Sequence, residues 1–247
     1  MADSRNFFDL SNRKILVTGA SSGIGRAISI YLSELGARIV LTGRNSDRLQ
    51  ETLSRMKGNK HLVISYDLGN EGDFTELFDH AVADGVKLNG MVYSAGVIPM
   101  LPLQSMRREK VSAVMRINFT SFLECVRLYA KNKYANTGSI VGISSIAAIQ
   151  PEPGQTLYAA SKAAMNAAVL ALAPELAGKQ IRINTIMPGM TEPECGFCEK
   201  DQILIQKQRL GAVGREDIAG LCVYLLSDRS RAVSGRPFYL DGGRFYE

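Results

Sequence analysis

The stretch that decides the fold is Thr18-Gly19-Ala20-Ser21-Ser22-Gly23-Ile24-Gly25, which follows the apolar run Lys14–Val17 and leads into a segment of helical periodicity. Its glycines allow a tight turn and let backbone N–H groups approach a pyrophosphate, while the N-terminus of the following helix adds positive potential. A glycine cluster of this kind also occurs as a plain tight turn. The strand before it, the helix after it and a second strand ending at Leu41 favour a dinucleotide-binding loop.

Short β-branched runs alternate with longer helical stretches along the rest of the chain. The predicted strands are Lys14–Val17, Arg38–Leu41, His61–Ser65, Gly90–Tyr93, Ser139–Ile143, Ile181–Ile186 and Phe238–Leu240. This alternation is typical of a parallel sheet with crossover helices. It predicts one α/β domain over residues 1–247, a Rossmann-type doubly wound parallel sheet of seven strands with helices on both faces.

The composition excludes several classes of protein. Lys and Arg number 29 against 24 Asp and Glu, and a net charge of +5 is too mild to indicate nucleic acid as the main partner. The longest apolar stretch, Ser139 to Ile149, is shorter than the roughly 20 residues that cross a bilayer. The first ten residues lack a signal-peptide pattern, and four cysteines are too few for a disulfide scaffold. We expect a cytoplasmic protein without membrane association.

The residue that follows the second strand indicates which dinucleotide binds. An acidic residue about 20 positions beyond the glycines would hold the ribose 2′-OH of NAD(H), whereas an arginine accommodates the 2′-phosphate of NADP(H). Here the strand is followed by Arg44, and the next carboxylate is Asp47. The pattern favours NADP(H) over NAD(H), with a solvated loop arginine as the alternative for Arg44.

Tyr158 and Lys162 are four residues apart and lie on one face of a predicted helix. A cation near a phenol stabilises the phenolate and lowers the pKa of the tyrosine, which suits it to proton transfer. Tyr129 and Lys133 have the same spacing. Ser145 at the end of the fifth strand distinguishes the pairs, because the carboxyl ends of parallel strands face the ligand crevice. We therefore assign Tyr129 and Lys133 a structural role on a helix surface near its C-terminus.

These motifs together resemble the short-chain dehydrogenase/reductase family, whose cofactor loop reads Thr-Gly-x-x-x-Gly-x-Gly. Asn118, Ser145, Tyr158 and Lys162 match its four catalytic positions in order, and Leu240-Asp241-Gly242-Gly243 resembles its C-terminal signature. The resemblance implies reversible hydride transfer between a nicotinamide nucleotide and a carbonyl/alcohol pair. It implies that Ser145 holds the carbonyl oxygen, Tyr158 transfers the proton, Lys162 binds the nicotinamide ribose and Asn118 supports a proton relay. A structural hydrogen bond from Asn118 to backbone is compatible with that role.

The glycine loop and the same resemblance also predict the cofactor contacts. These are Gly19, Ser21, Ser22, Gly23, Ile24, Gly25, Arg44, Asp67, Leu68, Ala95, Gly96, Tyr158, Lys162, Pro188, Gly189 and Thr191. Thr191 lies closer to the Pro-Gly turn than is usual in the family. Tyr93 and Ser94 replace two asparagines that tie the central strands of family members together, so the hydrogen bonding at this point is expected to differ.

The substrate is left open by the sequence. Met106 to Lys133 carries seven Lys or Arg against Glu109 and Glu124. A basic surface of this kind could attract an acidic carrier protein, which fits a 3-oxoacyl thioester substrate. The alternative is a solvated helix face without a partner. A sugar, polyol, steroid or other small ketone is the alternative. A protein that senses NADP(H) or serves as a scaffold without turnover is a further alternative. By resemblance we expect a homo-oligomer, either dimer or tetramer.

Residues 188–201 have no clear period and follow the sixth strand, so they are predicted to begin a substrate lid. Cys195 and Cys198 within them resemble half of a zinc or redox site. His61 and His80 belong to distant elements, so we predict no metal site and an apolar lid.

Overall fold

The computed structural model describes residues 8–192 and 199–244, and its strands form one parallel sheet. Every predicted strand is present, with bounds that differ by at most two residues from those predicted. The strands are β1 (Lys14–Thr18), β2 (Arg38–Gly43), β3 (Leu62–Ser65), β4 (Gly90–Tyr93), β5 (Gly138–Ile143), β6 (Ile181–Pro188) and β7 (Pro237–Leu240). The predicted doubly wound parallel sheet of seven strands is confirmed.

Helices connect successive strands and cover both faces of the sheet. They are α1 (Gly23–Glu34), α2 (Ser46–Ser54), α3 (Thr75–Ala81), α4 (Arg108–Met115), α5 (Ser121–Tyr129), α6 (Thr156–Ala177), α7 (Glu199–Gln206) and α8 (Arg215–Leu226). A π-helical turn over Arg116–Thr120 joins α4 to α5. Short 3₁₀ turns occupy Leu103–Ser105, Ile146–Ala148 and Asp228–Ser230.

The strand order is β3-β2-β1-β4-β5-β6-β7. The order reverses beside β1, which pairs with β2 on one side and β4 on the other. Loops that leave β1 and β4 therefore turn toward opposite faces and leave a crevice at the carboxyl ends of the strands. That crevice holds the candidate site.

Alternate side chains of each strand enter two separate cores. Leu16, Val40, Met91 and Ile140 pack in the core that includes α3, α5 and α6. Their neighbours Ile15, Ile39, Val92 and Val141 pack in the core that includes α1 and α8. This two-residue alternation is that of a sheet buried on both faces, and it holds the carboxyl ends of the strands in a fixed register.

The long helix α6 contains a proline and is the most apolar helix of the structure by length and composition. Pro174 does not end it early, because the proline falls in the last turn and removes only one hydrogen bond near Ala177. Thr156–Ala177 is also longer than Ser139 to Ile149 and, by length and composition alone, apolar enough to cross a bilayer. It packs instead on β6 and contributes Met165 and Val169 to a core, as central helices of globular proteins do.

Candidate active site

A cleft of about 780 Å³ lies at the carboxyl ends of the strands, on both sides of the point where the strand order reverses. All sixteen residues predicted to contact the cofactor line it. Ser145, Tyr158 and Lys162 line the same cleft. Predicted cofactor and catalytic residues between Gly19 and Thr191 thus lie around one cleft.

The glycine loop between β1 and α1 is packed too closely for a side chain at Gly19 and Gly25. A Cβ atom on Gly25 would collide with the Gly19 carbonyl oxygen, and one on Gly19 would lie 2.9 Å from the Ala95 nitrogen. Gly23 has a φ of +53° and open space where its Cβ would be. The loop is therefore a backbone-lined cradle of the kind that admits a pyrophosphate.

The N-terminus of α1 is uncapped. Ser22 occupies the N-cap without a side-chain hydrogen bond, and the first turn carries no acidic residue. Arg26 braces the loop, because its Nη2 donates to the Ser21 carbonyl at 2.7 Å and pairs with Glu51 Oε2 at 2.9 Å. A helix N-terminus without a side-chain cap or an acidic first turn favours an anion, so the residues present fit a dinucleotide phosphate.

Arg44 follows the last residue of β2 and lines the cleft with an exposed side chain. Within residues 8–192 and 199–244 it has no ion-pair partner. A guanidinium with free donors beside the glycine loop can bind a phosphate group.

Tyr93 and Ser94, which stand where the family pattern has two asparagines, form hydrogen bonds of their own at this point. The Tyr93 hydroxyl donates to the Ile117 carbonyl at 2.6 Å and its ring packs against Phe122. The backbone N–H groups of Ser94 and Ala95 both donate to Thr18 Oγ1, each at 3.1 Å. Thr18 was not predicted to matter here, although it immediately precedes Gly19. The link between β1 and β4 is therefore made by a threonine hydroxyl.

The three predicted catalytic side chains that line the cleft come from β5 and α6. Tyr158 and Lys162 lie one turn apart on α6, and Lys162 Nζ is 5.8 Å from the centre of the Tyr158 ring. Lys162 Nζ donates to the Ile143 carbonyl at 2.6 Å. Ser145 is the N-cap of the 3₁₀ turn Ile146–Ala148 after β5, its Oγ accepts from the Ala147 N–H at 3.1 Å, and it lines the cleft together with Tyr158.

Burial dominates the titration of this pair. It raises the pKa of Tyr158 above its usual value, although the Ser145 side chain opposes the shift. It also lowers the pKa of Lys162 to about 8. The Lys162 ammonium donates to the Ile143 carbonyl, and the lowering of the Tyr158 pKa by Lys162 stays a prediction.

Asn118 lies in the π-helical turn and does not line the cleft. Its Oδ1 accepts from the Val97 N–H at 2.8 Å, and its Nδ2 donates to the Val97 carbonyl and Ser161 Oγ. The side chain thus joins three segments behind the cleft, and Gly96 fits against it because a Cβ there would lie 3.2 Å from Oδ1. The structural hydrogen bond to backbone that we considered is present.

The turn Pro188-Gly189-Met190 after β6 is held by Gln208, a buried residue that the sequence did not reveal. The Met190 N–H donates to Gln208 Oε1, and Gln208 Nε2 donates to the Gly211 carbonyl at 2.8 Å and the Met190 carbonyl at 3.3 Å. A side chain on Gly189 would collide with this amide. Gln208 therefore positions one wall of the cleft.

A cluster of three charged residues, Glu152, Lys207 and Arg244, forms another part of the cleft wall. Glu152 accepts from Lys207 Nζ at 2.8 Å and from Arg244 Nη2 at 2.5 Å. The hydrogen bond from Lys207 is the main cause that lowers the pKa of Glu152, so it is ionised at neutral pH. No local pattern could have revealed this cluster, because its members come from three distant parts of the chain.

Tyr129 and Lys133 lie outside the cleft. Lys133 is exposed and pairs with Asp79 at 2.5 Å, but Tyr129 is fully buried in a core rather than on a helix surface. The predicted surface position is wrong for Tyr129 because the apolar face of α5 extends to its last residue, and burial raises the pKa of this phenol.

The residues that the structure describes contain no group of three His, Cys, Asp or Glu side chains arranged for a metal ion. Cys195 and Cys198, and most of the predicted lid beyond Glu192, lie outside the described residues. Thr191 pairs with Val213, so the start of that segment is anchored to the approach to α8.

Comparison with known proteins agrees with this geometry. Residues 19–244 match a family model described as Enoyl-(Acyl carrier protein) reductase. The chain is 32% identical to 3-oxoacyl-(acyl-carrier-protein) reductase FabG of Rickettsia felis, with 95% of this chain and 98% of that protein covered. It is 30% identical to glucose 1-dehydrogenase of Gluconobacter oxydans, with coverages of 94% and 92%. A dehydrogenase/reductase from Sinorhizobium meliloti 1021 is similar in structure, with a TM-score of 0.90, 29% identity and 96% of each chain covered.

The doubly wound sheet, the phosphate cradle and the Ser-Tyr-Lys cluster define an oxidoreductase that binds a nicotinamide nucleotide. The chain belongs to the short-chain dehydrogenase/reductase family, whose members act on carbonyl/alcohol pairs.

Proposed function

We propose that the protein is an NADP(H)-dependent oxidoreductase that interconverts a ketone and a secondary alcohol. The observation that carries this proposal is the convergence of Ser145, Tyr158 and Lys162 on the cleft that also contains the glycine loop. A nicotinamide nucleotide bound there would supply or accept the hydride. A protein that only senses the nucleotide has no need of a buried proton donor beside it, so turnover is favoured over sensing.

The proposed roles follow from the position of each side chain. The Ser145 and Tyr158 side chains line the same cleft, and a carbonyl oxygen placed within reach of both hydroxyls would accept from both. Tyr158 would give that oxygen its proton during reduction. Lys162 would bind ribose hydroxyls with the donors that Ile143 leaves free. Asn118 would act as a positioning residue, because its amide joins Val97 to Ser161 of α6.

Arg44 supports NADP(H) over NAD(H). Its exposed guanidinium has no ion-pair partner in the described ranges and lines the cleft beside the glycine loop. We expect Arg44→Ala to lower kcat/KM for NADPH by about tenfold to a hundredfold, the usual worth of a charge-assisted hydrogen bond. The value for NADH should change by less than about threefold. Steady-state assays with both nucleotides, and with the exposed Arg231→Ala as a control, test this.

Wild-type protein that uses NADH as well as NADPH, or an Arg44→Ala variant that loses both equally, would contradict the cofactor assignment.

The relatives of this chain are named for different substrates, so they support more than one substrate class. A 3-oxoacyl thioester is supported by similarity to the reductase of Rickettsia felis, and a sugar by similarity to glucose 1-dehydrogenase. An acidic carrier protein is less well supported. Of the basic residues in Met106 to Lys133, Arg116 pairs with Glu71, Arg127 with Glu124 and Lys133 with Asp79. These pairs reduce the positive surface available to a carrier.

The test is NADPH oxidation with a panel of 3-oxoacyl and enoyl thioesters, hydroxyketones and simple diketones. We expect turnover of at least one ketone. Tight binding of NADPH without turnover of any compound would favour the sensing protein instead. A homo-oligomeric state and a cytoplasmic location are part of the proposal, and size-exclusion chromatography with light scattering tests the first.

A further inference from the structure

The part of the cleft beyond Tyr158 contains hydrogen-bonding groups that the protein itself leaves unused. Lys207 and Arg244 both donate to the same carboxylate oxygen of Glu152, Oε1. The other oxygen, Oε2, accepts no hydrogen bond within the described part of the chain. Two cations thus hold one oxygen of a carboxylate that lines the cleft, and its second oxygen is left for another donor.

Gln155 adds a donor next to this acceptor. Its Oε1 accepts from the Glu152 N–H at 2.9 Å, which fixes the amide against the same loop. Its Nε2 has no partner among residues 8–192 and 199–244, and the residue lines the cleft. Gln155 precedes Tyr158 by three residues, so the two lie on adjacent turns about 5 Å apart along the axis.

Arg244 adds further donors. Only its Nη2 forms a hydrogen bond with another described side chain, which leaves Nε and Nη1 available in the cleft. Its side chain is 9% exposed and its backbone pairs with Gln208, so the guanidinium is held in place rather than free in solvent. This part of the cleft wall thus contains one anionic acceptor, Glu152 Oε2, and donors from two residues, Gln155 and Arg244.

We infer that the substrate carries hydroxyl groups on the side of its carbonyl that faces Glu152, Gln155 and Arg244, so that it is a hydroxyketone/polyol pair. A hydroxyl both donates and accepts, so it satisfies a carboxylate oxygen and a neighbouring N–H together. This inference rests on the proposed function, because it places the reacting carbonyl at Tyr158.

Other substrate classes fit this wall less well. An alkyl chain laid against it would remove water from Glu152 Oε2 and the free donors without replacing their hydrogen bonds. A substrate carboxylate would be repelled by Oε2, since it can only accept. The apolar residues Ile98 and Met100 also line the cleft and can cover the carbon skeleton.

The test compares erythrulose with 2-butanone, which share a carbon skeleton and differ in hydroxyl groups, and includes an acetoacetyl thioester. We expect wild-type kcat/KM for one enantiomer of erythrulose to exceed that for 2-butanone by about tenfold to a hundredfold, the worth of one hydrogen bond to a charged group. Glu152→Ala should remove this preference while kcat/KM for 2-butanone changes little.

Glu124→Ala is the matched control, because Glu124 is also paired with an arginine and is 23% exposed against 21% for Glu152, but lies outside the cleft. It should keep the preference. Gln155→Met provides a second variant that leaves the Glu152 cluster intact, and it should weaken the preference even if Glu152→Ala does not fold.

Equal use of the two ketones, a preference for the thioester, or an equal loss on both ketones in Glu152→Ala would overturn the inference and leave the oxidoreductase intact. Absence of turnover on every ketone would overturn the proposed function and this inference with it.

Discussion

Tyr158 and Tyr129 form a natural comparison at the residue scale. Both are buried tyrosines that precede a lysine by four residues, but only Tyr158 lines the cleft, together with Ser145. We expect Tyr158→Phe to lower kcat by about a hundredfold or more, the usual contribution of a positioned proton donor. Binding of NADPH should be unchanged. Steady-state assays and fluorescence titration with NADPH measure the two effects.

Tyr129→Phe is the control for this experiment. The Tyr129 hydroxyl is buried and has no hydrogen-bond partner among the described residues. Its removal should therefore leave activity unchanged and the free energy of unfolding equal or higher. If the two phenylalanine variants had the same activity, Tyr158 could not be the proton donor.

Lys162 makes stability depend on pH. Its ordinary pKa of 10.5 is lowered to about 8 by burial, so between these values the unfolded chain holds a proton that the folded protein has released. The free energy of unfolding should therefore rise with pH across that window, by up to about 3 kcal/mol. Urea unfolding of wild type and Lys162→Met at pH 7 and pH 10 isolates this contribution.

The wild type should gain stability relative to Lys162→Met as the pH rises, because the variant has no group that titrates there. A difference that is the same at both pH values would show that the ammonium is not desolvated in the folded protein.

At the scale of elements, the segment that follows α7 fixes one wall of the cleft. Gln208 is 3% exposed and its amide satisfies the Met190 N–H and two carbonyls. Gln208→Glu keeps the shape but removes both donors, so we expect NADPH to bind about tenfold more weakly at pH 8. Protonation of the buried carboxyl restores one donor, so affinity should recover as the pH falls toward 5.5.

Isothermal titration calorimetry across this pH range measures the effect, with Gln206→Glu on exposed α7 as the control. Weaker binding that does not recover at low pH would indicate general damage to the fold rather than loss of these donors.

The elements themselves were largely predictable. Strands were found because a sheet buried on both faces requires short β-branched runs. Their ends were underestimated at Gly43 and Pro188 because pairing with a neighbouring strand extends residues whose own propensity is low. The π-helical turn at Asn118 was not predicted, since one added residue in a turn barely changes the apolar pattern.

At the scale of the whole molecule, the predictable part of the site is the part carried by local motifs. The glycine loop, Tyr158 with Lys162, and the Pro188-Gly189 turn each consist of neighbours in sequence. Glu152 and Arg244 are 92 residues apart, and their contact exists only because the sheet brings the C-terminal segment to the mouth of the cleft. Contacts of that kind depend on topology, which single residues do not reveal.

The position of Arg244 has a practical consequence for anyone who modifies this chain. The last residue that the structure describes is part of the cleft wall, and its backbone pairs with Gln208. A bulky group attached next to Arg244 would therefore disturb the groups that surround the substrate. A group attached just before β1 would sit at the amino ends of the strands, at the edge of the sheet away from the cleft.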